Sequence, residues 1–112
     1  MKRIEAVIEP FEIDEAKAAL DQIGVPGLTV VEVRISGGRN GHAPVHRGAE
    51  YDVEFLPQLK VEVLIDDAGV DDVVDALTIA ARIGDGGHGH IFVTPVVDVV
   101  RIRTGERGAS AV

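Results

Sequence analysis

RIGDGGHGHIF, residues 82–92, packs four glycines, an aspartate and two histidines into one short stretch. Its centre, Gly84-Asp85-Gly86-Gly87-His88-Gly89, spells G-x-G-x-x-G. A dinucleotide fingerprint needs a strand before those glycines and a helix after them. Here the order is reversed. Upstream, Val70, Val73, Val74, Leu77 and Ala81 recur at helical spacing, led in by acids at 66, 67, 71 and 72. Downstream, Ile91-Phe92-Val93 is β-rich. The parallel dinucleotide fold is thereby excluded. A Walker loop is excluded too, because no G-K-[ST] is present. Glycines leave backbone N–H groups uncovered, so the loop can cradle an anion; it can equally be a flexible connection. The stretch alone leaves both open.

Working outward, Leu59, Val61, Val63 and Ile65 alternate with Lys60, Glu62 and Leu64, which is the period of a strand. The same unit stands at the start of the chain. Ile4, Ala6 and Ile8 alternate with Arg3, Glu5, Val7 and Glu9, and Pro10 ends the run. Ile13, Ala16, Leu20 and Ile23 then follow helical spacing, and Gly24 is placed to stop the helix. After the Pro26-Gly27 turn, Leu28 to Ile35 is β-rich, with Thr29, Val31, Val33 and Ile35 on one face. Strand–helix–strand therefore occurs twice. The order β-α-β-β-α-β predicts an α+β, ferredoxin-like fold, one antiparallel sheet with two helices on one side. Val96 to Arg103 reads as a further extended run. Between strands 2 and 3, residues 36 to about 53 lose apolar periodicity and form a long loop, which by length is functional or disordered. The sheet's second face would carry Val7, Val31 and Val33 uncovered, which predicts an oligomer.

The chain has 112 residues, enough for one domain, 1–112, with its own core. Net charge is −8, against the balance expected of a nucleic-acid binder, so no nucleic acid is expected. Against that background Arg101-Ile102-Arg103 is a notable basic cluster, suited to phosphate or to surface pairing with Asp98 or Glu106. There are no cysteines, hence no disulfides and no thiolate metal site. No run is long enough to span a bilayer, nothing resembles a signal peptide, and a cytoplasmic location is expected. His42, His46, His88 and His90 suit zinc, copper or nickel as residue types. No cysteine completes a ligand set, and no resident metal or cofactor is expected. Nothing forms a nucleophile–base–orienter set, so a regulatory binding protein is expected in place of an enzyme.

The chain resembles the PII signal-transduction family of nitrogen-regulatory trimers. Met1-Lys2-Arg3-Ile4-Glu5-Ala6 with Pro10-Phe11 carries the likeness at the start. Arg47-Gly48-Ala49-Glu50-Tyr51 with Phe55-Leu56-Pro57 carries it in the middle, and Ile91-Phe92-Val93 with Arg101-Ile102-Arg103-Thr104-Gly105-Glu106 at the end. The resemblance implies a homotrimer with three inter-subunit clefts, each taking ATP or ADP, with or without magnesium. It makes residues 36–54 the mobile effector arm, or T-loop, and residues 82–90 the glycine-rich B-loop that cradles phosphate. Thr29, Glu62 and Leu64 match positions around the adenine. Gly37, Gly87, His88, Gly89, His90, Arg101 and Arg103 complete the implied nucleotide set. Tyr51 matches a site of reversible uridylylation. Implied partners are regulatory targets such as an ammonium transporter or a nitrogen-metabolism enzyme.

The likeness has departures. His90 stands where the family has lysine, and His88 where it has aspartate. Ile83 and Asp85 replace threonine and lysine. Arg39 replaces a glutamine that helps hold magnesium, and Gln58 replaces a lysine that contacts 2-oxoglutarate. His46 replaces a tyrosine. An arginine has no lone pair to give a metal. The resemblance with these changes implies nucleotide binding with a weak or absent 2-oxoglutarate response. The alternative reading is a sensor of a metal ion or of another small anion such as bicarbonate.

Overall fold

Alternation at the N-terminus produces β1 (Lys2–Ile8), in which Ile4, Ala6 and Ile8 are buried and the residues between them are not. The computed structural model describes residues 1–25, 27–36, 55–81 and 89–112. After β1 come a short 3-10 turn (Pro10–Glu12), α1 (Ile13–Gln22), β2 (Thr29–Ser36), β3 (Phe55–Ile65), α2 (Val70–Ala80) and β4 (Ile91–Pro95). The four strands form one antiparallel sheet in the order β2-β3-β1-β4. This is the ferredoxin-like arrangement expected from the sequence.

Both helices cover the same side of the sheet. Ile4 lies opposite Val63 and Ala6 opposite Val61, and directly opposed residues share a face. That face meets Ala16 and Leu20 of α1 and Val73, Ala76, Leu77 and Ala80 of α2 in one core. Each large side chain removed from water there contributes about 1.5–3 kcal/mol. Helix α1 stops as its sequence predicts. Gly24 takes φ +82°, its N–H donates to the Asp21 carbonyl at 3.1 Å, and the Val25 N–H donates to Leu20 at 3.0 Å. This pair of bonds is a Schellman ending, and glycine occupies its left-handed position without steric cost. At the other end of the helix Glu12, only 1% exposed, accepts the Glu9 N–H at 2.8 Å and closes a capping box.

Two elements differ from the sequence expectation. Strand β3 begins at Phe55, four residues before the regular alternation, and runs through Pro57. The reason is register. β1 ends at Ile8 opposite Leu59, so the residues of β3 before Leu59 pair with β2 alone, and a proline is tolerated in such a one-sided part of a sheet. The second difference concerns Val96 to Arg103, which is not a strand. Only Val100 bridges, to Arg107, while Val97 and Ile102 are 98% and 99% exposed. The residues have β propensity but no neighbouring strand to pair with. The Arg101 N–H donates to Glu106 and the Gly105 N–H returns to Arg101, with Gly105 at φ +78°, so the segment doubles back as a tight hairpin.

The start of β1 is tied to the approach of α2. Asp67 accepts from the Met1 ammonium at 2.8 Å and from Lys2 Nζ at 2.9 Å. The Met1 ammonium first, and Lys2 second, hold the Asp67 carboxyl at about 2, below its ordinary 3.8. Folding lowers this carboxyl, so the unfolded chain binds more protons as pH falls from about 4 to about 2. The stabilisation is present above that window and lost through it. Asp67→Asn should therefore lower the urea midpoint at pH 7 and converge on the parent near pH 2. Equal midpoints at pH 7 would show that the contact contributes nothing, as some exposed pairs do.

Candidate functional site

Among the described residues nothing covers the sheet face away from the helices, and register decides what that face displays. Thr29 of β2 lies directly opposite Glu62 of β3, and Glu62 directly opposite Glu5 of β1. Leu64 is two residues further along β3, on the same face. Thr29, distant in the sequence, is thus a neighbour of Glu62 and Leu64 on one surface. Val7 and Val33 are partly buried there, while Val31, Ile35, Leu56 and Phe92 are 36–55% exposed. The face is apolar around a charged centre.

That centre is balanced. Glu5 and Glu62 face each other as like charges, which is unfavourable across a sheet. Lys60 Nζ lies 3.8 Å from a carboxylate oxygen of each, and Arg3 lies 3.7 Å from Glu5. The two cations offset the two anions. The alternation of charge in Arg3-Ile4-Glu5 and Lys60-Val61-Glu62 is visible in the sequence, but its meaning depends on the pairing.

Of the glycine loop, Gly89 and His90 belong to the described residues; residues 82–88, with Gly87 and His88, lie outside them, as do Gly37, Arg39, His46, Tyr51 and the whole stretch 37–54. Gly89 approaches β1 so closely that a Cβ would stand 2.8 Å from the Val7 carbonyl oxygen. This is a position that needs glycine for close approach. His90 is exposed and stacks on Phe92, ring centroids 6.1 Å apart at 30°. Phe92 pairs with Glu5, so the imidazole lies toward the uncovered face.

Arg101 and Arg103 do not sit on a strand, although Val96 to Arg103 reads as an extended run; they occupy the doubled-back hairpin. Arg101 Nε lies 3.3 Å from a Glu106 oxygen, and its Nη2 donates to the Ser110 carbonyl at 3.3 Å. Asp98 pairs with Arg107, not with either candidate arginine. The two halves of the phosphate set also stand apart. Gly89 is beside Val7, while the Val96 N–H donates to the Met1 carbonyl, so the arginine hairpin departs from the opposite end of β1. Gln58, on the uncovered face, donates from Nε2 to Glu9 at 3.3 Å. On the other, helix-side face of the same β2–β3 ribbon, Pro10, Glu32, Arg34 and Pro57 wall a groove of about 450 Å³ that Gln58 edges. The sequence did not single out Glu9, Lys60 or Glu106 as site residues, since each acts through a neighbour brought in by folding.

Two helices on one face of a four-stranded antiparallel sheet, with a charged, partly apolar second face, define a ferredoxin-like α+β domain. A family model described as "Nitrogen regulatory protein P-II" matches residues 1–106. Over all 112 residues, and over the full length of each relative, the chain is 51% identical to a nitrogen regulatory protein P-II of Azospirillum brasilense. It is 53% identical to that of Nostoc punctiforme and 49% to that of Rhizobium meliloti, with the same full coverage. The chain belongs to the P-II family of nitrogen regulatory proteins. Its members are signalling regulators, and nitrogen signalling is the role that membership gives this chain. Among the described residues no helix is long and apolar enough to cross a membrane.

Proposed function

We propose that this protein is a cytoplasmic homotrimer that binds ATP or ADP in clefts between subunits and regulates nitrogen-metabolism targets through residues 36–54. One observation carries the reading: Thr29, Glu62 and Leu64, the implied adenine set, are brought together on the uncovered sheet face. A nucleotide base there would be enclosed only by something that packs on that face. Three further features support a second copy as that partner. The face is apolar around a neutralised centre. Val97 and Ile102 are nearly fully exposed apolar side chains, which favour a protein interface. Gly89 and the arginine hairpin leave opposite ends of β1, so one phosphate chain is more readily held by the loop of one subunit and the arginines of the next.

In this reading 2-oxoglutarate is a poor ligand. Arg39 cannot ligate magnesium. Gln58 supplies no charge, and Glu9 holds it through a hydrogen bond. The protein would then report the balance of ATP and ADP. Sedimentation equilibrium should give three times the chain mass, and calorimetry should show ATP and ADP binding without an ATP-dependent heat for added 2-oxoglutarate. A monomer, or no heat with either nucleotide, would refute the reading. Strong ATP-dependent 2-oxoglutarate binding would refute its ligand selectivity. The variant carrying Arg39→Gln and Gln58→Lys should gain that response.

A further inference from the structure

We propose that Glu106 is the positioning residue for Arg101, fixing its guanidinium so that the end-on fork is free for a nucleotide phosphate; the inference rests on the nucleotide reading above. The hairpin is built to hold this pair. The Arg101 N–H donates to the Glu106 carbonyl at 2.9 Å, and the Gly105 N–H donates back to the Arg101 carbonyl at 2.8 Å. The two residues thereby open and close one turn, whose left-handed position is filled by Gly105 at φ +78°. The Glu106 carboxylate is itself held. Its Oε1 accepts from the Thr104 hydroxyl at 3.1 Å, and the Thr104 oxygen accepts the Glu106 N–H at 3.2 Å.

The same Oε1 lies 3.3 Å from Arg101 Nε, while Nη2 donates to the Ser110 carbonyl at 3.3 Å. Nε is thus in ion-pair contact with Glu106, and one proton of Nη2 is taken up by the hydrogen bond to Ser110. Both protons of Nη1 and the second of Nη2 remain, and one from each nitrogen makes the end-on fork that matches two phosphate oxygens. Arg103 has no ion-pair partner among the described residues, so the two arginines differ in how far they are fixed before ligand arrives. An exposed pair of this kind adds little to folding. Its effect falls on binding. A long side chain already held in the receptive rotamer has less conformational entropy left to lose. Thr104, Glu106 and Ser110 thus act on phosphate only through Arg101.

The test is ATP calorimetry on the full chain, with thermal melts as a folding control. Glu106→Ala should weaken ATP binding roughly three- to fivefold, the upper part of the range of exposed charge pairs. Glu106→Gln retains an oxygen for Nε and should stay within about twofold. Arg101→Lys has no Nε, so adding Glu106→Ala to it should cause no further loss, a coupling that a general structural role would not produce. Unchanged or tighter binding in Glu106→Ala, or an equal loss in the Arg101→Lys background, overturns the inference. If the parent binds no ATP, or Arg101→Ala with Arg103→Ala binds it like the parent, the nucleotide reading fails and this inference with it. Loss in that double variant with full binding in Glu106→Ala removes the positioning role alone.

Discussion

Replacing both Arg101 and Arg103 by alanine should weaken ATP binding by about 3–6 kcal/mol, because two charge-assisted contacts of roughly 1.5–3 kcal/mol each are lost. The lower end is the better expectation. Both side chains are exposed, and solvent screens part of the interaction before and after substitution. Two features of the molecule push the other way. The chain carries −8 overall, so the general field opposes a polyanion and local cations have more to overcome. Removing Arg101 also releases Glu106, whose carboxylate then stands unpaired at the hairpin. The loss should grow as salt is lowered, since the residual field is then less screened. Fluorescent-nucleotide titrations at two ionic strengths would read both effects. A double variant that binds as the parent does would remove the hairpin from the site.

Leu77→Ala should destabilise the fold by about 2–5 kcal/mol, read as a lowered urea midpoint at fixed protein concentration. Leu77 is 1% exposed and lies on α2 against the sheet, in the core shared with Leu20 and Val63. Truncation loses the transfer free energy of the removed carbons and leaves a cavity that the surrounding side chains only partly fill. The neighbours Val73, Ala76 and Ala80 are small or β-branched and cannot swing into the space. The matching exposed position, Ile79, is 65% exposed, and Ile79→Ala should move the midpoint little. Equal effects at 77 and 79 would mean that the assignment of inner and outer helix faces is wrong.

Both helices and their inner faces were legible because periodicity is local: Ala16 with Leu20, and Val73 with Leu77, can be read without knowing any partner. The uncovered face was legible for the same reason, since Val7, Val31 and Val33 could be assigned to it by alternation. Register was not. That Thr29 opposes Glu62, and that Glu62 opposes Glu5, is a relation between strands, and no single segment encodes it. The start of β3 was hidden by Pro57, which is tolerated because only β2 pairs with that part of β3. The extended reading of Val96 to Arg103 failed because β propensity describes a residue's fit to a sheet and cannot say whether a sheet is there to receive it. Glu106 was visible only as a possible salt-bridge partner; its tie to Thr104 and Arg101 needed the hairpin.

The overhang of the β2–β3 pair beyond β1 has a consequence for how the molecule opens. From Thr29 opposite Glu62 to Glu32 opposite Leu59, the pair is braced by β1 on its inner edge. From Val33 opposite Gln58 to Ser36 opposite Phe55, that brace is gone and only two strands remain. A two-stranded ribbon is marginal by itself and twists more freely than a wider sheet. The ladder is therefore graded: its far end can fray and reclose by itself, while its root opens only with the whole domain. A pull applied to the chain beyond Ser36 or before Phe55 would reach the frayable end first. Tension applied there would be dissipated by unzipping pairs one after another toward Gln58, and the Thr29–Glu62 pair would feel it last.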